Sequence, residues 1–113
     1  MLSKENRIKK KKDFERIFKE GQGFKEDFLF LKIAQNNLNI SRFGFIVSKN
    51  FSKKAVFRNK MKRKLRELVR IKLDKIKKGI DGILIAQPGL AKKDFQETQE
   101  ITNKIFRKAK III

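Results

Sequence analysis

Arg58-Asn59-Lys60-Met61-Lys62-Arg63-Lys64-Leu65-Arg66 is the stretch whose reading decides the rest of this chain. At 3.6 residues per turn, Phe57, Met61, Leu65 and Leu68 fall on one side, and Val69 widens that stripe. Arg58, Lys62, Arg66 and Arg70 form a second row, with Asn59 and Arg63 beside it. The pattern predicts a helix pinned by its apolar stripe and presenting a dense cationic face. The bland alternative is a solvated surface helix. From Lys49 to Lys78, however, fourteen Lys or Arg face only two acids, Glu67 and Asp74. A face that merely keeps a protein soluble mixes signs, whereas one that repels itself is explained by a polyanionic partner.

Working outward, the whole chain has 113 residues, a net charge of +19, 40% hydrophobic residues and eleven Phe. That is enough to bury one core without disulfides or metals, so a single domain over 1–113 is expected. The charge points to nucleic acid or an anionic surface. Cysteine and histidine are both absent. There is then no thiolate nucleophile, no neutral-pH imidazole base and none of the usual zinc ligands, which argues against catalysis by the protein alone. The start, Met1-Leu2-Ser3-Lys4-Glu5, lacks the apolar region of a signal peptide, and no apolar run is long enough to span a bilayer. A cytoplasmic location is the expectation.

In chain order, residues 1–11 read as a basic arm, mobile or adhering to RNA, with Ile8 docking on the domain. A short helix follows over 12–20, with Asp13 at its start, Phe14, Ile17 and Phe18 on one side and Gly21 as its stop. Phe24 to Ile33 reads as a first strand, with Phe28, Phe30 and Lys32 on one face and Leu29, Leu31 and Ile33 on the other; a further short strand within this region stays open. Arg42 to Ser48 reads as the next strand. Both carry apolar residues on both faces, as in a sheet covered on one side and partly exposed or ligand-bound on the other. The basic helix is placed at 55–78, an interior strand at Gly82–Ala86, and a last helix at 92–109. That helix has Phe95, Ile101, Ile105 and Phe106 inward and Leu90 as a staple before it. The tail Ile111-Ile112-Ile113 is too short for a membrane anchor. The fold expected is an α/β (α+β) two-layer sandwich, about four strands with three helices, in the order helix, strands, helix, strand, helix. The basic helix links two strands expected to be parallel neighbours, for which the general rule gives a right-handed crossover.

Arg58-Asn59-Lys60-Met61-Lys62-Arg63 resembles the Arg-Asn-Arg signature helix of the protein subunit of bacterial ribonuclease P. Three more segments match in order and spacing: Lys12-Asp13-Phe14 with Phe18 and Gly21, Gly44-Phe45-Ile46-Val47-Ser48-Lys49, and Asp81-Gly82-Ile83-Leu84-Ile85-Ala86. Lys60 replaces the second arginine of the signature, keeping charge but losing the planar fork that grips phosphate. Asn50 stands where the family often has a second lysine.

The resemblance implies that a large RNA partner is the catalyst, removing the 5′ leader of precursor tRNA with Mg²⁺ bound in the holoenzyme and no cofactor on the protein alone. It also implies a left-handed crossover through the basic helix, taken here over the general rule. Carried over by position, Arg58, Asn59, Lys60, Lys62, Arg63, Arg66 and Arg70 contact the RNA subunit. Phe14, Phe18, Leu31, Val47, Ser48, Lys49 and Lys53 line or rim a cleft for the single-stranded leader, with aromatic faces for bases and cations for the backbone. No catalytic or metal-binding residue is expected on the protein, which is expected to be monomeric. Two other readings compete. One is a general RNA-binding protein of ribosomal or architectural type. The other is a membrane-surface protein, whose stripe of Phe57, Met61, Leu65 and Leu68 would have to lie exposed.

Overall fold

The computed structural model describes residues 2–112. Helix α1 (Lys11–Glu20) leads into strands β1 (Gln22–Glu26), β2 (Leu29–Gln35) and β3 (Arg42–Val47). Helix α2 (Ala55–Lys72), strand β4 (Ile80–Ala86) and helix α3 (Phe95–Lys108) complete the chain. The four strands form one mixed sheet in the order β1-β2-β4-β3. β4 is antiparallel to β2 and parallel to β3, so α2 connects two parallel neighbours as expected.

Alternation along the strands sorts the side chains into two layers. Leu29, Leu31, Phe43, Val47, Leu84 and Ala86 point to the face covered by α2 and α3, where Met61, Leu65, Val69, Ile101, Ile105 and Phe106 meet them. Phe43 and Phe106 pack with ring centroids 5.9 Å apart. Burying each such side chain contributes about 1.5–3 kcal/mol. The opposite face carries a smaller cluster, in which Ile17 of α1 and Ile8 pack with Ile83, joined by Phe14, Ala34, Ile46 and Ile85.

Several expectations are corrected. The predicted first strand, Phe24 to Ile33, is a hairpin, because Asp27 adopts the left-handed region (φ 48°) and reverses the chain between β1 and β2. The basic helix ends at Lys72 in a 3-10 turn, Leu73–Lys75, rather than running to 78. The last helix starts later than read, since Asp94 and Glu97 form a reciprocal capping box that fixes its first turn. Phe95, expected inward, is exposed as a result, and Leu90 is buried within the preceding 3-10 turn rather than acting as a staple. Phe57 leaves the apolar stripe and is half exposed, while Met61, Leu65 and Leu68 are buried. Ile8 docks on the domain as expected, and the arm around it is docked too: Leu2 and Asn6 are buried, Arg7 pairs with Phe43 beside β3, and the Ile8 amide donates to the Phe43 carbonyl at 2.9 Å. In the C-terminal tail Ile111 is buried and Ile112 bridges to Ile76; Met1 and Ile113 lie outside the described residues.

Two glycines set how closely α1 lies on the sheet. A Cβ at Gly21 would sit 2.3 Å from the Ile17 carbonyl oxygen. One at Gly44 would sit 2.6 Å from the Phe14 ring, so this glycine lets the ring approach β3 closely.

Candidate nucleic-acid interface

The burial of Met61, Leu65, Leu68 and Val69 orients α2 and turns its cations outward. Asn59, Lys60, Arg63 and Arg70 are exposed, and Lys62 and Arg66 are half-buried at the flank. No acid occupies the first turn. Arg58 stands apart from this row in function: its Nη1 donates to the carbonyls of Ser52 (2.9 Å) and Lys53 (3.0 Å), tying down the loop before the helix. Arg70 pairs with Glu67 one turn back, at 2.5 Å, which raises the arginine and lowers the acid from their ordinary ranges.

Arg66 lies over the Phe45 ring, 6.0 Å from its centroid. Its pKa is lowered, first by burial and then by the neighbouring charges of Arg7 and Arg63. Cations brought together against their mutual repulsion make a site for a counter-charge. Arg7, Lys9, Lys62 and Arg66 border a small cavity of about 160 Å³ at the β3 edge, floored by Phe14, Phe43 and Phe45. This cavity links the α2 side of the molecule to the α1 side.

On the α1 side, the helix covers the sheet only in part. Ile17 is fully buried, whereas Phe18 remains 40% exposed. Phe18 overhangs a groove of about 320 Å³ whose wall includes Lys25, Phe30, Lys32 and Ile85. Lys25 lies 5.3 Å from the Phe30 ring centroid, and the Lys32 ammonium donates to the Phe18 carbonyl at 3.3 Å. Aromatic surface flanked by cations suits a single strand, whose bases stack while its phosphates pair.

The residues predicted for the cleft are therefore only partly brought together. Phe18 lines it from α1, whereas Phe14 sits over Gly44 and lines the β3-edge cavity instead. Ser48, Lys49 and Lys53 are exposed in the loop beyond β3. Leu31, although buried in the main core, still borders this groove, whereas Val47 is corrected: it is buried in that core and does not line the groove. Phe30, Lys25, Lys32 and Ile85 were missed. The signal lay in the strand alternation, which puts Phe30 and Lys32 opposite Leu29 and Leu31.

A second omission is structural. Asp81 is 0% exposed, and Arg42 grips both of its oxygens at 2.9 and 2.7 Å. Asn36 adds a bond at 2.8 Å, and Arg16 of α1 also pairs with the carboxylate. Burial alone would raise the pKa of Asp81. The hydrogen bonds from Arg42 and Asn36 and the charges of Arg42 and Arg16 outweigh that, holding it below the ordinary aspartate range. Bonding to Asp81 raises Arg42 in turn, and Asp13 of α1 stands 3.6 Å from the same guanidinium. This centre clamps α1 to the sheet and so fixes where Phe14 and Phe18 stand.

A four-stranded mixed sheet with a cationic helix on one side and an aromatic, lysine-flanked groove on the other defines an RNA-binding α/β protein. The family model described as Ribonuclease P matches residues 2–110, and the chain belongs to the ribonuclease P protein family. Among its relatives, the ribonuclease P protein component of Clostridium botulinum (strain 657 / Type Ba4) is 37% identical over 109 residues, covering 96% of this chain and 97% of the relative. That of Pseudanabaena sp. (strain PCC 6903) is 34% identical, covering 99% and 97%. The solved RNase P protein of Staphylococcus aureus superposes with a TM-score of 0.88 at 30% identity, covering 96% of this chain and 98% of that one. The Thermotoga maritima protein gives 0.81 at 33%, covering 89% and 96%. The chain is thus the protein component of a ribonucleoprotein endoribonuclease of tRNA processing.

Proposed function

We propose that this protein assists removal of the 5′ leader from precursor tRNA by holding two RNAs at once. The outer face of α2, carried by Asn59, Lys60, Lys62, Arg63, Arg66 and Arg70, docks on the catalytic RNA subunit, and Arg58 shapes its approach. The groove under Phe18, walled by Phe30 and Leu31 and flanked by Lys25 and Lys32, receives the single-stranded leader, with Phe14 and the exposed Ser48, Lys49 and Lys53 as further contacts of that strand. The observation that carries this reading is the separation of the two surfaces, a cationic α2 face and an aromatic, lysine-flanked groove between α1 and the β1–β2 hairpin. Such a layout lets one small protein bridge enzyme RNA and substrate.

The Mg²⁺ of the reaction is assigned to the RNA. Among the described residues no three His, Cys, Asp or Glu side chains gather as a metal site, and the one buried carboxylate, Asp81, is already saturated by donors. No chemical step is placed on the protein. It acts as a monomer in the cytoplasm, and among the described residues no helix is long and apolar enough to cross a membrane.

Reconstitution with ribonuclease P RNA and a precursor tRNA tests the proposal. The protein is expected to restore cleavage at low Mg²⁺ and to cleave nothing on its own. Cleavage by nuclease-free protein without RNA would overturn it.

A further inference from the structure

Phe57 leaves the buried stripe that its spacing assigns it to, and what it does instead is informative. It is 50% exposed, beside Val56 at 62%. Single exposed apolar residues are ordinary, but this one forms a wall of a cavity. Phe51, Phe57 and Met61 line a hollow of about 300 Å³ between the start of α2 and the turn before α3, rimmed by Lys60 and Lys64. No acidic residue lines it. Lys54 holds its ammonium over the Phe57 ring, 5.7 Å from the centroid. The larger cavity elsewhere, about 700 Å³, is different in kind, because Glu5 and Asp74 stand in its wall and would repel a phosphate.

We infer that the Phe51–Phe57 hollow takes one unpaired base of the catalytic RNA subunit, stacked on Phe57, with Lys54, Lys60 and Lys64 on the adjoining phosphates. The inference rests on the reading of α2 as the surface that docks on that RNA. The RNA subunit, rather than the leader, is the occupant because the hollow opens on the flank of α2 defined by Lys60 and Lys64. The β3-edge cavity, which Phe14 of α1 also lines, lies on the other flank, beside Lys62 and Arg66. Two aromatic rings in a hollow whose charged residues are all cations suit a base better than a peptide side chain, since every base offers a π-face.

The test compares Phe57→Leu, Phe57→Tyr and Arg63→Ala with the unaltered protein, using ribonuclease P RNA alone as the probe. Phe57→Leu keeps apolar bulk and is expected to weaken binding about 5- to 150-fold, the range for one lost base–aromatic stack, while leaving the salt dependence unchanged. Phe57→Tyr should bind as the unaltered protein does. Nucleotide-resolution footprinting should show one unpaired nucleotide of that RNA protected by the Phe and Tyr forms and open with Leu. A Phe57→Leu protein that binds normally, while Arg63→Ala weakens binding, overturns the stacking inference and leaves the α2 interface standing. If Arg63→Ala is also without effect, the interface itself is wrong. Protection found only on precursor tRNA, or equal losses for Tyr and Leu, likewise overturns the inference.

Discussion

Two groups of arginines in this molecule do opposite things. At Asp81, Arg16 and Arg42 converge on one buried carboxylate, Asp13 adds a second acid beside Arg42, and Arg42 is pushed to hold its proton more firmly. On α2, Arg66 is partly buried and crowded by Arg7 and Arg63, and for both reasons, burial first, it holds its proton less firmly. The first group is an internal fastening. The second is an unsettled account that only an external anion closes. Charge count alone does not distinguish them; the location of the matching carboxylate does.

Salt should expose the difference most strongly. If RNA docking neutralises six to ten phosphates, affinity for ribonuclease P RNA falls roughly 10³- to 10⁵-fold between 50 and 200 mM salt. The thermal midpoint, set by the enclosed Asp81 centre, should barely move over the same range. A flat binding curve would mean that α2 is not the contact surface.

Asp81→Ala breaks the fastening itself. Removing one partner of a buried ion pair costs about 3–5 kcal/mol, and the lower end is expected because both guanidiniums reach solvent. Denaturant unfolding measures it. The pH dependence follows with a definite sign. The folded-state pKa of Asp81 lies below its unfolded value, so the stabilisation is fully present above about pH 4 and is lost as pH falls through the lower folded value. Asp81→Asn should remove that component of acid sensitivity, seen as a flatter stability profile in this window.

Phe18→Ala sharpens the comparison from the groove side. Losing one stacked base costs about 1–3 kcal/mol, and the loss should fall on precursors with long leaders more than on mature tRNA. A thermal melt must accompany it, although Phe18 at 40% exposure has less packing to lose than a core phenylalanine. A folded variant that still prefers leader-bearing substrate by the unaltered margin removes Phe18 from the groove. The smallest effect belongs to Arg63→Ala, which should lower the salt slope of RNA binding by about 1 without changing stability beyond about 0.5 kcal/mol.

Much of this was legible in the residues, and the failures have physical causes. The α2 stripe, the Gly82–Ala86 interior strand and the order of elements follow from periodicity, because burial imposes 3.6 on a helix and 2 on a strand. The hairpin inside Phe24–Ile33 was hidden because its reversal depends on a left-handed Asp27 rather than on a glycine or proline. Val47 is placed in the groove by the resemblance, yet alternation with Phe43 and Phe45 already sends it to the core face. The Asp81 centre was invisible because Arg16, Asn36, Arg42 and Asp81 are far apart in the chain and meet only through the sheet order. Phe57 fits the stripe by spacing, but it lies in the first turn, where the neighbouring structure no longer covers it.

The place of β4 has a consequence for how the chain comes together. It is the last strand in sequence yet lies second from the edge, between β2 and β3, with Arg7 and Ile8 fastened outside β3. Until residue 86 has been made, β2 and β3 have no neighbour in common, and two strand edges stay open to other chains. The β1–β2 hairpin is local, but the sheet joining β2 to β3 is completed only when β4 is inserted between them. A nascent chain this cationic would spend that interval extended by its own repulsion, which keeps those open edges from pairing with one another.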